Sequence, residues 1–114
     1  MDRPVIVYDD VCGFCTWSAR RAEAAGEFDL VGFSELTPAL ERRLPEDYER
    51  CAHLVTADRV YSCGAAAEEV LARMDPASRT AVAAFRLVPD RERVREPLYR
   101  WVADHRDWFG RLLR

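Results

Sequence analysis

Two cysteines three places apart, Cys12 and Cys15 in the run VIVYDDVCGFC, have the type and spacing that disulfide exchange requires. That chemistry needs a thiolate within a substrate's reach and a second thiol close enough to resolve the mixed disulfide. Two intervening residues in a first helical turn bring such a pair within bonding distance. Cys12 follows a break at Asp9 and Asp10, and residues 16–25 read as a helix. A thiol at a helix start meets unpaired backbone N–H groups and the positive end of the macrodipole, both of which favour the thiolate. Cys12 is therefore expected as the nucleophile. Cys15, one turn further in, is expected as the resolving thiol.

Asp9 ends the preceding strand beside this pair. A partly buried carboxylate there would take the proton from Cys15 as that thiol attacks. The alternative is a turn carboxylate that satisfies backbone N–H groups. Asp10 is expected to be solvated. Phe14 and Trp17, on the first helical turn, offer an apolar rim to a substrate disulfide. His53 is placed near that rim and reads as a hydrogen-bonded strand residue rather than a base. His105 reads as a solvated helix residue.

The remaining cysteines, Cys51 and Cys63, flank a hairpin around Ala57-Asp58-Arg59, which brings them toward the same end of the molecule. Three readings stand: small buried residues, an auxiliary redox pair, or metal ligands together with Cys12 and Cys15. Zinc is disfavoured because the chain holds no second Cys-x-x-Cys.

These residues must be held by a framework, and the apolar pattern outlines one. Residues 3–8 form a β-branched run without polar alternation, the mark of a central strand covered on both faces. Ala19, Ala22 and Ala25 give the first helix its apolar side, and Gly26 is a natural stop. A second strand is expected over 29–33. Thr37 and Pro38 open a helix to about residue 44. Strands are expected at 51–56 and 60–62, although their turn lacks glycine. A helix follows over 64–74 with Ala66, Val70, Leu71 and Met74 facing inward. Asp75-Pro76 caps another to about residue 87, and Glu96-Pro97 opens the last, through residue 107. Trp101, Trp108 and Phe109 are expected to pack that last helix onto the sheet. The order β-α-β-α-β-β-α with a C-terminal helical pair is that of a thioredoxin-like α/β fold with a mixed four-stranded sheet.

At 114 residues the chain is long enough for one domain with its own core. Its net charge of −3 leaves no overall nucleic-acid footprint. The charge is uneven: residues 79–114 carry nine Arg against five acids, which reads as a solvated basic helix face. All 17 basic residues are Arg, so no lysine exists for Schiff-base or P-loop chemistry. No apolar run approaches the ~20 residues a membrane helix needs. The N-terminus lacks the cationic and apolar regions of a secretory signal, which points to the cytoplasm. Cysteines in a reducing compartment are more often catalytic or metal-binding than structural.

Asp-x-x-Cys-x-x-Cys after a first strand, here Asp9, Cys12 and Cys15, resembles the hallmark of the DCC family of thiol-disulfide oxidoreductases. His53 with Val60-Tyr61 is similar to the family's hairpin. YRWVADHRDWFG is similar to its ending, with Tyr99, Arg100, Arg106 and Gly110 at matching positions. The chain departs from the family at Asp10 and near Cys63, where glycine is usual, and no proline precedes Leu54. The resemblance implies one thioredoxin-like domain over 1–114, with 75–114 a helical extension. It implies a dithiol oxidoreductase without a prosthetic group or metal. Its substrate would be a disulfide-containing protein or a small thiol, and a thiol reductant would recycle it. Two rivals stand beside this expectation. One is a zinc or iron–sulfur module using Cys12, Cys15, Cys51 and Cys63. The other is a non-catalytic interaction domain.

Overall fold

Val5, Ile6 and Val7 leave almost nothing to solvent on either side, and they make the second strand from one edge of the sheet. In the computed structural model, which describes residues 3–112, this strand is β1 (Val5–Tyr8). It pairs in parallel with β2 (Asp29–Gly32) and antiparallel with β3 (His53–Val55), which in turn pairs with β4 (Val60–Ser62). The sheet order β2-β1-β3-β4, with α1 (Gly13–Ala25) between β1 and β2, is thioredoxin-like.

The missing polar alternation in β1 has its cause in two apolar layers. Ile6 and Leu54 point to one face, where Ala19 and Ala22 of α1, Phe28 and Ala66 complete the cluster. Val5, Val7 and Val55 point to the other, against Leu44, with Leu36 and Leu40 packed alongside. Each of the Val, Leu, Ile and Phe side chains contributes about 1.5–3 kcal/mol on leaving water. Ala66 belongs to α3 (Gly64–Leu71), which lies over β3 and β4. Leu40 belongs to α2 (Pro38–Glu41), one turn long, opened by Thr37 accepting the Leu40 N–H at 3.2 Å.

Three helices follow α3 where the sequence suggests two: α4 (Pro76–Phe85), α5 (Arg91–Asp104) and α6 (Arg106–Leu112). Pro97 does not open a helix but sits inside α5. A proline there forfeits the bond its N–H would give the carbonyl four residues back. Tertiary ion pairs hold the turns before it. Glu68 of α3, nearly buried, meets Arg86, Arg91 and Arg95 at 3.2, 3.2 and 3.4 Å. The basic C-terminal stretch is thus partly a clamp on a buried acid rather than only a solvated face.

Other expectations also change. Residues 42–44 leave the helical path, so α2 is shorter than its apolar spacing suggests. Leu71 turns outward at 42% exposure. Gly26 ends α1 in an extended conformation, not a left-handed one, and a Cβ there would collide with Phe28 and the Arg73 carbonyl. The glycine-free hairpin turn is closed by Thr56, whose hydroxyl accepts the Arg59 N–H at 3.1 Å. The last helix packs on α1 rather than on the sheet: Phe109 stacks on Phe14 at 5.3 Å, and Trp101 and Trp108 stay half exposed.

Candidate active site

Cys12 is the N-cap of α1, with extended backbone, and its Sγ accepts the Cys15 N–H at 3.3 Å. A cysteine side chain thus does what a Ser or Asp does at other helix starts. The Cys12 carbonyl accepts the Thr16 N–H, so the sulfur sits on the first helical turn. Both Cys12 and Cys15 are free thiols with partial exposure. They differ in surroundings. Cys12 opens on a cleft of about 470 Å³ whose walls include Asp10, Thr16, Trp17, Arg20 and Arg21. Cys15 lines a separate, smaller cavity of about 90 Å³, with Asp9, Cys51, Tyr99 and Arg106. Burial, and then the adjacent Cys12 sulfur, push the Cys15 thiol up to about 12.

Asp9 serves the turn and faces the pair at once. Its Oδ1 accepts the Val11 N–H at 3.1 Å, and its Oδ2 meets Arg106 Nη1 at 3.5 Å. An ion pair this exposed contributes only about 0.2–1 kcal/mol to stability. Its consequence is the placement of charge. Burial alone would lower the Arg106 pKa, but the sulfurs of Cys12 and Cys15 and the Asp9 carboxylate raise it. A guanidinium so placed attends both sulfurs, as a helix end does.

The other residues singled out from the sequence divide. Trp17 lines the cleft beside Cys12, at 40% exposure, with the Arg21 guanidinium 5.8 Å from its ring centre. Phe14 lines the smaller cavity and stacks with both Trp17 and Phe109, so it docks α6 instead of rimming the cleft. His53 is not on a rim: it is 1% exposed, between Ser62 Oγ at 2.8 Å and the Tyr48 carbonyl at 2.7 Å. Burial lowers its pKa. His105 is exposed and stacks on Trp101. Asp10 is not merely solvated, because it accepts from both the backbone N–H and the hydroxyl of Ser34, and these bonds lower its pKa. Gly32 belongs beside it, since a Cβ there would strike the Asp10 side chain.

Cys51 and Cys63 form a disulfide, with Cα atoms 5.2 Å apart. That takes two of the four sulfurs a four-cysteine metal site would need and corrects that alternative. Arg106 and Tyr99 join the site although residue types and spacing alone do not place them there. Their one signal in the sequence is their position in the chain's ending, which matches the family pattern.

The family model for DCC1-like thiol-disulfide oxidoreductases matches residues 6–111, nearly the whole chain. The chain belongs to that family. No curated protein and no solved structure matches it. Asp9, Cys12, Cys15 and Arg106 all lie within the residues matched by the DCC1-like model, and the fold brings Arg106 back to Asp9 beside the two cysteines. Among the described residues of this DCC1-like protein, no helix is long and apolar enough to cross a membrane.

Proposed function

We propose that this protein exchanges disulfides with a protein or small-thiol substrate through the Cys12–Cys15 pair. The Cys12 thiolate attacks a substrate sulfur; a Cys12–substrate disulfide forms and the other substrate sulfur leaves with the electron pair. Cys15 then attacks Cys12 Sγ, which closes Cys12–Cys15 and releases the second substrate thiolate. Asp9 accepts the Cys15 proton, and Arg106 offsets the negative charge that builds among the sulfurs. A thiol reductant reopens the pair. Residues 1–114 act as one unit in the cytoplasm, because the helices after residue 75 supply Arg106 and Tyr99.

The observation that carries this reading is the asymmetry of the pair. Cys12 caps the helix on an open cleft, while Cys15 is turned inward with its thiol pushed up to about 12. An exposed attacking sulfur and a sheltered second one are what the two successive exchanges need. Cys12→Ser is expected to abolish dithiothreitol-coupled disulfide reduction. Cys15→Ser is expected to accumulate a mixed disulfide, read as added mass under non-reducing conditions. Wild-type rates in both variants would overturn the proposal and favour a domain that only binds.

A further inference from the structure

The disulfide between Cys51 and Cys63 closes a step of 12 residues across the hairpin, yet β3 and β4 are already paired through three registered residue pairs. Its position matters more than the loop it closes. Cys51 and Cys15 line the same cavity of about 90 Å³. Tyr99 lies on that wall too. Its hydroxyl accepts the Ala52 N–H at 3.1 Å, next to Cys51, and its pKa is raised by burial and then by the nearby Cys15. The Ala52 carbonyl accepts the Cys63 N–H at 3.0 Å, so Tyr99 ties the disulfide's flank to the cavity. Cys63 holds φ 56° and ψ −126°, a region that side-chain-bearing residues avoid. Backbone held there is over-determined by its surroundings, and such positions gather at working sites.

We infer that Cys51 and Cys63 are a second redox pair, which passes electrons to Cys12 and Cys15 across this cavity. This rests on the Cys12–Cys15 pair being redox-active, as proposed above. After one substrate turnover the first pair is a disulfide. The Cys51 thiolate attacks Cys15 Sγ; the Cys12–Cys15 bond breaks, and Cys12 leaves as the thiolate. Cys63 then attacks Cys51 Sγ; the Cys15–Cys51 bond breaks, and Cys15 leaves and takes a proton. One disulfide is lost and one is formed. Two electrons and one proton pass from Cys51 and Cys63 to Cys12 and Cys15, because Cys51 enters and Cys12 leaves as the thiolate. The transfer ends with Cys51 and Cys63 joined, a pairing their Cα separation of 5.2 Å allows, and with Cys12 and Cys15 as free thiols. The helix end and Arg106 favour the open form of the first pair, so the disulfide comes to rest on the second. A low-molecular-weight thiol or a protein dithiol then reduces Cys51–Cys63, both of whose residues are partly exposed.

The test uses fully reduced protein and one equivalent of oxidised glutathione, with acid quenching, alkylation and peptide mapping over time. In the wild type the disulfide is expected first at Cys12–Cys15 and then at Cys51–Cys63. In Cys12→Ser/Cys15→Ser the second disulfide is expected to form at least about tenfold more slowly, since direct attack lacks the activated sulfur. In Cys12→Ser/Cys63→Ser, mild oxidation is expected to join Cys15 to Cys51 within one chain. A disulfide that stays at Cys12–Cys15 in the wild type overturns the transfer and leaves the proposed activity intact. Wild-type rates of Cys51–Cys63 formation in Cys12→Ser/Cys15→Ser also overturn it, as does failure of Cys15 and Cys51 to join. A wild type that glutathione disulfide does not oxidise at all overturns both readings.

Discussion

At the scale of single residues, the open matter is what Asp9 does for Cys15. Its carboxylate adds to the upward push on the Cys15 thiol, while Arg106 opposes it. Two effects of removing that charge therefore have opposite signs. If Asp9 only repels a Cys15 thiolate, Asp9→Asn speeds the resolving step. If Asp9 takes the proton, the variant slows it by about 10²-fold, the low end of general-base contributions. The expected outcome is slowing, with a steeper pH dependence. Without a nearby base the step waits on a thiol pushed up to about 12, so its rate climbs as pH rises through neutrality. Single-turnover decay of a mixed disulfide with a chromogenic thiol, followed from pH 6 to 9, measures both. Faster decay in Asp9→Asn would leave Asp9 as a turn residue.

At the scale of elements, Glu68 does for the C-terminal helices what an apolar seam does for others. It sits on α3 at 7% exposure and receives Arg86, Arg91 and Arg95 from the chain beyond α4 and from α5. Burial alone would raise its carboxyl pKa, but the Arg91 hydrogen bond and the three guanidinium charges together hold it below the ordinary 4.5. Removing the acid strands three arginines that remain partly hydrated, so the cost stays below that of breaking a fully buried pair. Glu68→Ala is expected to lower stability by about 2–3 kcal/mol in urea titrations. The sign of the pH effect follows from the lowered pKa. The unfolded chain takes up the proton first, so this stabilisation is whole above about 4.5 and is lost as pH falls toward the folded value. Acid titration of the variant should lack that component.

At the scale of the molecule, His53 joins three parts of the fold: β3, Ser62 of β4 and the Tyr48 carbonyl before them. It is held neutral, since burial lowers its pKa from the ordinary 6.5. The unfolded chain binds this proton more readily, so stability is full above about 6.5 and declines as pH falls below it. Thermal midpoints are expected to drop between pH 7.5 and 5.5 in the wild type. His53→Gln is expected to be less stable by about 1–3 kcal/mol at pH 7.5, with a flatter slope, because one buried bond is lost and no titrating ring remains. An equally steep slope in the variant would assign that pH range to other groups.

What the chain determined by itself is what local chemistry and short periods encode. A β-branched run makes β1, alternating faces make its two buried layers, Thr37 and Asp75 cap their helices, and Cys12 stands where a helix must begin. The placement of Asp9, Cys12 and Cys15 beside one another was legible for the same reason, because they lie within the one turn and helix start that follow β1. The tertiary structure alone decided the rest, since each remaining choice balances groups far apart in sequence. It kept Pro97 inside α5 because a distant Glu68 holds the preceding turns, and it buried His53 because Ser62 and Tyr48 could satisfy both ring nitrogens. It carried Arg106 back across 97 residues to Asp9, and it put Cys51 and Cys15 on the wall of one cavity. Charge and sulfur act over a few ångströms of space, and spacing along a chain does not measure that distance.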